Sequence, residues 1–172
     1  MVRKAQHKKT PVILIAALQK DRGVGLNNEL LYSIQEDMKH FTALTKGHTV
    51  IMGRKTWESI PQKYRPLPGR NNIVVTRNTE FTAPGATVVH RFYEALQCAT
   101  EDAKIFVIGG GEIYNQALSY ADTLELTIID GDKKADAFFP EYTKYFSEEG
   151  RSEVFTDEKS QYSYQFVTYI KK

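Results

Sequence analysis

Cysteine is almost absent from this chain: Cys98 is the only one among 172 residues. That excludes a disulfide framework within the chain and a thiolate metal cluster, and it fits a reducing, cytoplasmic setting. Long hydrophobic runs are also missing. Val12 to Leu18 spans only seven residues and is followed by Gln19, Lys20, Asp21 and Arg22. It is too short to cross a bilayer, which takes roughly 20 apolar residues, and it lacks the flanks of an export signal. Charge of one sign is scarce too, since the net charge is only +2. A dedicated nucleic-acid binder carries a stronger field. His7, His40, His48 and His90 show no metal-ligand spacing, and no serine-nucleophile motif occurs, so metal and acyl-transfer chemistries drop out.

What is present is ordinary in amount and informative in order. Apolar residues make up 41% and charged residues 26%, a globular composition in a chain long enough to bury a full core. Arg3, Lys4, Lys8 and Lys9 define a basic N-terminal tail over residues 1–11, either a solvated end or a contact for polyanions. Residues 12–172, without repeats or linkers, read as one domain. The apolar run Val12 to Leu18 suits a central strand covered on both faces. Shorter runs recur at Thr49 to Met52, Asn72 to Thr76, Thr87 to Val89 and Ile105 to Ile108. Helical candidates alternate with them at Ile34 to Thr45, Thr56 to Ile60, Phe92 to Thr100 and Glu112 to Ala121. This alternation predicts parallel strands joined by crossovers. Thr123 to Ile129, Glu153 to Thr156 and Tyr162 to Ile170 are β-rich, and the last two predict a hairpin closing the sheet edge. The expected fold is α/β: a mixed, mostly parallel twisted sheet of about eight strands, helices on both faces, and a C-terminal antiparallel hairpin.

Ligands of such sheets sit beyond the carboxyl ends of the strands, where three turns carry suitable chemistry. Ser33 to Glu36 has the spacing of a capping box at a helix start. On that helix Ile34, Met38, Phe41, Leu44 and Thr45 form one stripe, and Asp37 falls inside it. An inward carboxylate needs partners. It either satisfies free N–H groups of the first turn or anchors a ligand, accepting two parallel hydrogen bonds from an amidine-like edge such as that of a pterin. Gly109-Gly110-Gly111 lies between a strand and a helix, as a flexible turn or as backbone that admits a flat ring or a phosphate. Gly53-Arg54-Lys55-Thr56 and Thr76-Arg77 end neighbouring strand runs, as surface charge or as a seat for a phosphorylated dinucleotide.

Together with Ile15-Ala16-Ala17, Asp21-Arg22-Gly23-Val24-Gly25, Asp37 with Phe41, Val50 to Ile60, Arg65 to Arg70, the triple glycine with Tyr114, and Phe139-Pro140, these motifs resemble dihydrofolate reductase from about Val12 to Ile170. The resemblance implies an NADPH-dependent enzyme that binds dihydrofolate and antifolate inhibitors, acts as a monomer, and needs no nucleic acid or membrane. It implies that Asp37 holds the pterin with Thr127 in support, that Phe41, Ile60 and Leu67 line the substrate cleft, and that Arg70 pairs with the glutamate-tail carboxylate. Ile15 and Ile108 would present carbonyls near the ring. Ala17, Val24, Gly25, and Gly109, Gly110, Gly111, Glu112, Ile113 and Tyr114 would surround the nicotinamide and its phosphates, with Tyr114 also beside the substrate. Gly53, Lys55 and Thr56 would take the pyrophosphate, and Arg54, Thr76 and Arg77 the extra phosphate of NADPH. Residues 19–32 resemble the family's mobile loop, expected to close over the nicotinamide.

One departure stands out. Leu31-Tyr32 occupies the place of the family's usual Pro-Trp, so Tyr32 would offer a hydroxyl near the substrate in place of an indole N–H. That substitution predicts normal chemistry with altered loop dynamics and altered antifolate affinity. Two rivals remain at this point: a reductase of similar fold acting on a ribosylated pyrimidine in riboflavin synthesis, and a binding module built on the basic tail.

Overall fold

The computed structural model describes residues 9–99 and 103–172. Most of the basic tail lies outside the described residues. Lys9 lies within them, with its Nζ 3.8 Å from Asp122 Oδ1.

The strands are β1 (Val12–Leu18), β2 (Gly23–Leu26), β3 (Glu29–Leu30), β4 (Thr49–Gly53), β5 (Asn71–Val75), β6 (Thr87–Val89), β7 (Ile105–Gly109), β8 (Thr123–Ile129), β9 (Ala137–Phe138), β10 (Phe146–Arg151), β11 (Phe155–Thr156) and β12 (Ser163–Lys171). The helices are α1 (Gln35–Thr45), α2 (Arg54–Ser59), α3 (Phe92–Gln97) and α4 (Gly111–Ala117). The main sheet runs β10-β12-β8-β1-β7-β4-β5-β6, with β11 paired to β12. It is parallel from β8 to β6 and antiparallel where β12 joins β8 and β10. A small antiparallel sheet, β3-β2-β9, stands apart from it.

Strand alternation sorts the core onto two faces. Val12, Leu14, Ala16 and Leu18 of β1 pack with Ile51, Ile105 and Val107 and with Phe92, Ala95, Ile113 and Ala117 of α3 and α4. Ile13 and Ile15 pack with Val50, Met52 and Phe106, with Trp57 of α2 and with Phe41 and Leu44 of α1. Odd and even positions of one strand thus meet different helices, which the period of two requires. A continuous apolar run is needed on β1 because both its faces are covered and both its edges are paired. Among the described residues no helix is long and apolar enough to cross a membrane.

Three expectations need correction. The capping box does not form: Ile34 is the N-cap with no side-chain cap bond, and Glu36 pairs instead with Lys39 at 3.1 Å. The apolar stripe of α1 breaks at Met38, which is 54% exposed. The predicted C-terminal hairpin exists, with β11 pairing the start of β12, yet β12 is interior and β10 forms the edge. Phe146–Arg151 has no apolar pattern beyond its first residue, so charged edge chemistry hid it from periodicity. Helix ends shift by a few residues, and Ala117 leads into a 3-10 turn at Leu118–Tyr120. Cys98 lies just past α3 and is exposed, and Thr100 lies outside the described residues.

Candidate active site

α1 follows β3 in the chain and sets Asp37 in its first turn. The Asp37 carboxylate accepts a 2.5 Å hydrogen bond from the Thr127 hydroxyl, which β8 delivers. Desolvation by burial holds the Asp37 pKa above the usual carboxylate range, while the Thr127 bond and the nearby His40 pull it down. Of the two readings open for Asp37, helix capping is therefore not the one realised: its carboxylate is bonded to a hydroxyl on another element.

Beside this pair runs an apolar wall. Ile15, Phe41, Ile60, Leu67 and Ile108 all belong to one packed cluster around Val50, Met52 and Trp57. Arg70 lies against that wall, its guanidinium 6.0 Å from the Phe41 ring centre. Arg70 Nη1 donates to Thr45 Oγ1 at 3.1 Å and Nε to the Pro68 carbonyl at 3.0 Å, so the head group is held and partly desolvated.

A cleft of about 1160 Å³ opens on the adjoining side. Ala17, Val24, Gly25, Gly53, Arg54, Lys55, Thr56, Thr76, Arg77, Gly110, Gly111, Glu112, Ile113 and Tyr114 line it. Gly109 does not, because it is buried at the end of β7 with φ +115, where a side chain would strain the backbone and press on the Tyr114 ring 3.1 Å away. The Tyr114 hydroxyl donates to the Ile15 carbonyl at 2.7 Å. Burial and the charge of Asp37 both raise the Tyr114 pKa, so this group stays protonated and also ties the cleft to the Asp37 corner. Arg77 meets Glu112 at 3.3 Å and Arg54 meets Glu58 at 3.7 Å, both exposed pairs that a stronger anion can displace.

The sequence reading missed several walls of this cleft. His90 and Arg91 follow β6, and the rule that singled out the other strand ends would have found them. Asp136, Ala137 and Phe138 carry no such signal, since their strand is two residues long and is defined only by pairing with β2.

The dihydrofolate reductase family model matches residues 11–171. The chain is 41% identical over 158 residues to a type 3 dihydrofolate reductase of Salmonella typhimurium, covering 91% of this chain and 96% of that one. It is 39% identical over 166 residues to the dihydrofolate reductase of Bacillus subtilis, covering 94% and 95%. The chain belongs to the dihydrofolate reductase family. Its fold agrees with a solved dihydrofolate reductase from Enterococcus faecalis complexed with NADP(H) and RAB-propyl, at a TM-score of 0.85 and 28% identity over 95% of this chain and 98% of that one.

In this dihydrofolate reductase the Tyr32 hydroxyl, expected near the substrate, is engaged within the protein itself. The phenol is buried and donates to Gln19 Oε1 at 2.5 Å. Tyr32 packs with Ile34, Ile129 and Tyr164, edge-on to Tyr162 at 4.8 Å.

Proposed function

We propose that this chain reduces 7,8-dihydrofolate to 5,6,7,8-tetrahydrofolate with NADPH, supplying one-carbon metabolism, and that Asp37 grips the pterin. The observation that carries the assignment of Asp37 is its setting: a partly buried carboxylate, held by Thr127, one helical turn from Phe41 of the apolar cluster and close enough to Tyr114 of the cleft wall for its charge to raise that group's pKa. The Thr127 hydroxyl aligns the carboxylate, which accepts two parallel N–H bonds from the amino group and ring nitrogen of the pterin. Phe41, Ile60 and Leu67 face the flat part of the substrate. Arg70, already fixed by Thr45 and Pro68, turns the rest of its fork to the glutamate carboxylate.

The cleft fits the cofactor by its donor set. Glycine backbone at Gly110 and Gly111 allows close approach at one end, and Arg54, Lys55, Thr56, Thr76 and Arg77 gather cations and hydroxyls toward phosphate oxygens at the other. NADPH, when bound, supplies the hydride to the pterin ring carbon. The protein binds, orients and excludes bulk water. Water delivers the proton to the adjacent ring nitrogen, because a carboxylate tied to the far amino edge cannot also reach that atom. Tyr114 is not the acid, since its proton is engaged on the Ile15 carbonyl.

In this reading residues 12–172 act as one reductase domain, as a monomer in the reducing cytoplasm. The test is to mix purified protein with dihydrofolate and NADPH and follow near-ultraviolet absorbance. Loss that needs both substrates is expected, and no loss would refute the reading.

A further inference from the structure

Gln19, directly after β1, is 1% exposed although its side chain is an amide. A buried amide is tolerated when its hydrogen-bonding capacity is met, and here all four positions are used. Oε1 accepts from the Tyr32 hydroxyl at 2.5 Å and from the Lys133 N–H at 2.9 Å. Nε2 donates to the Lys133 carbonyl at 2.6 Å and to Asp21 Oδ1 at 3.0 Å. Lys133 returns the contact through its Nζ, which donates to the Leu31 carbonyl at 2.9 Å and stands 4.7 Å from the Tyr32 ring centre. Gly131 passes so close to the phenol that a Cβ there would overlap its oxygen. Around one amide, residues 19–32 are thus tied to residues 130–133.

Both segments continue into the cleft wall. The first contributes Val24, Gly25 and Leu30, the second Asp136, Ala137 and Phe138, and β2 pairs with β9 between them. We propose that Tyr32 is a positioning residue for the cofactor: its hydroxyl locks Gln19, Gln19 locks Lys133, and the two segments close over that end of the cleft as one unit. Phenylalanine at position 32 would fill the same volume but leave Gln19 Oε1 short of one donor in a dry site. The proposal rests on reading the cleft as the NADPH site.

The experiment compares Tyr32→Phe, Gln19→Leu and the double variant by fluorescence titration with NADPH and by the KM for dihydrofolate. The expected result is a rise of about tenfold in the NADPH Kd for each single change, with the double no more than about twofold beyond either, because both break the same link. The KM for dihydrofolate is expected to stay within about twofold, a split that general loss of stability would not produce. An unchanged NADPH Kd with a raised dihydrofolate KM would place Tyr32 at the substrate and overturn the proposal, as would additive effects. Hydrogen exchange on the free protein separates this from the cofactor reading. Tyr32→Phe should lose amide protection in residues 20–31 and 131–138 together, and unchanged protection overturns the link even if NADPH does not bind the parent protein.

Discussion

Replacing Asp37 by asparagine should separate the two effects of this side chain. Burial raises its folded pKa above the ordinary value near 3.8, so the folded protein holds that proton more tightly than the unfolded chain. Stability is then greatest below the unfolded pKa and falls as pH rises through the window up to the raised folded value, which makes the ionised carboxylate a cost at neutral pH. Asp37→Asn should therefore raise the neutral-pH melting temperature slightly, while kcat/KM falls about hundredfold, roughly 2.7 kcal/mol of transition-state stabilisation. Calorimetry and steady-state kinetics on the same preparation check both signs. Thr127→Val removes the bond that lowers the Asp37 pKa. The ionisation attributed to Asp37 in the pH profile of kcat/KM should shift to higher pH, and a profile identical to the parent's would deny the pairing any role in solution. Asp37 was legible in the sequence as an acid inside an apolar stripe. Its partner was legible only through the family resemblance, because 90 residues separate Thr127 on β8 from Asp37 on α1 and only the tertiary fold brings them together.

Among the elements, β1 is where sequence and structure agree most closely, and the reason is burial on both faces. Leu14 is fully buried between β7 and β8. Leu14→Ala should destabilise by about 2–5 kcal/mol, the range for a leucine truncated in a packed core. Met38→Ala, on the helix whose stripe it breaks, should change stability by no more than about 0.5 kcal/mol, as exposed positions do. Urea unfolding of the two variants would show whether the exposed face of α1 is as unpacked as the structure has it. The strands that periodicity missed are β2, four residues with two glycines, β3 and β9, two residues each, and β10, charged along its length, and pairing with a neighbour defines them. The cap of α1 went astray for a related reason: Ser33-to-Glu36 spacing permits a box, but Glu36 is drawn to Lys39 on the exposed side.

For the whole molecule, cofactor binding should register as stability. NADPH at a hundred times its Kd adds about 2.7 kcal/mol by mass action, a rise in melting temperature of roughly 5–10 °C for a chain of this size. NADH at equal concentration should add much less, and replacing Arg54 and Arg77 by neutral residues should bring the two cofactors together. Equal shifts by NADH and NADPH in the unmodified protein would refute the phosphate-site assignment. The sequence by itself determined the buried central strands, the turns that follow them and the residue types gathered there, because burial and turn geometry act over a few neighbouring residues. Only the tertiary structure decided that Asp136 to Phe138 wall the cleft and that the Tyr32 hydroxyl is turned to Gln19. Those facts depend on which distant segments share a strand edge or a buried amide, and spacing along one chain carries no record of such partners.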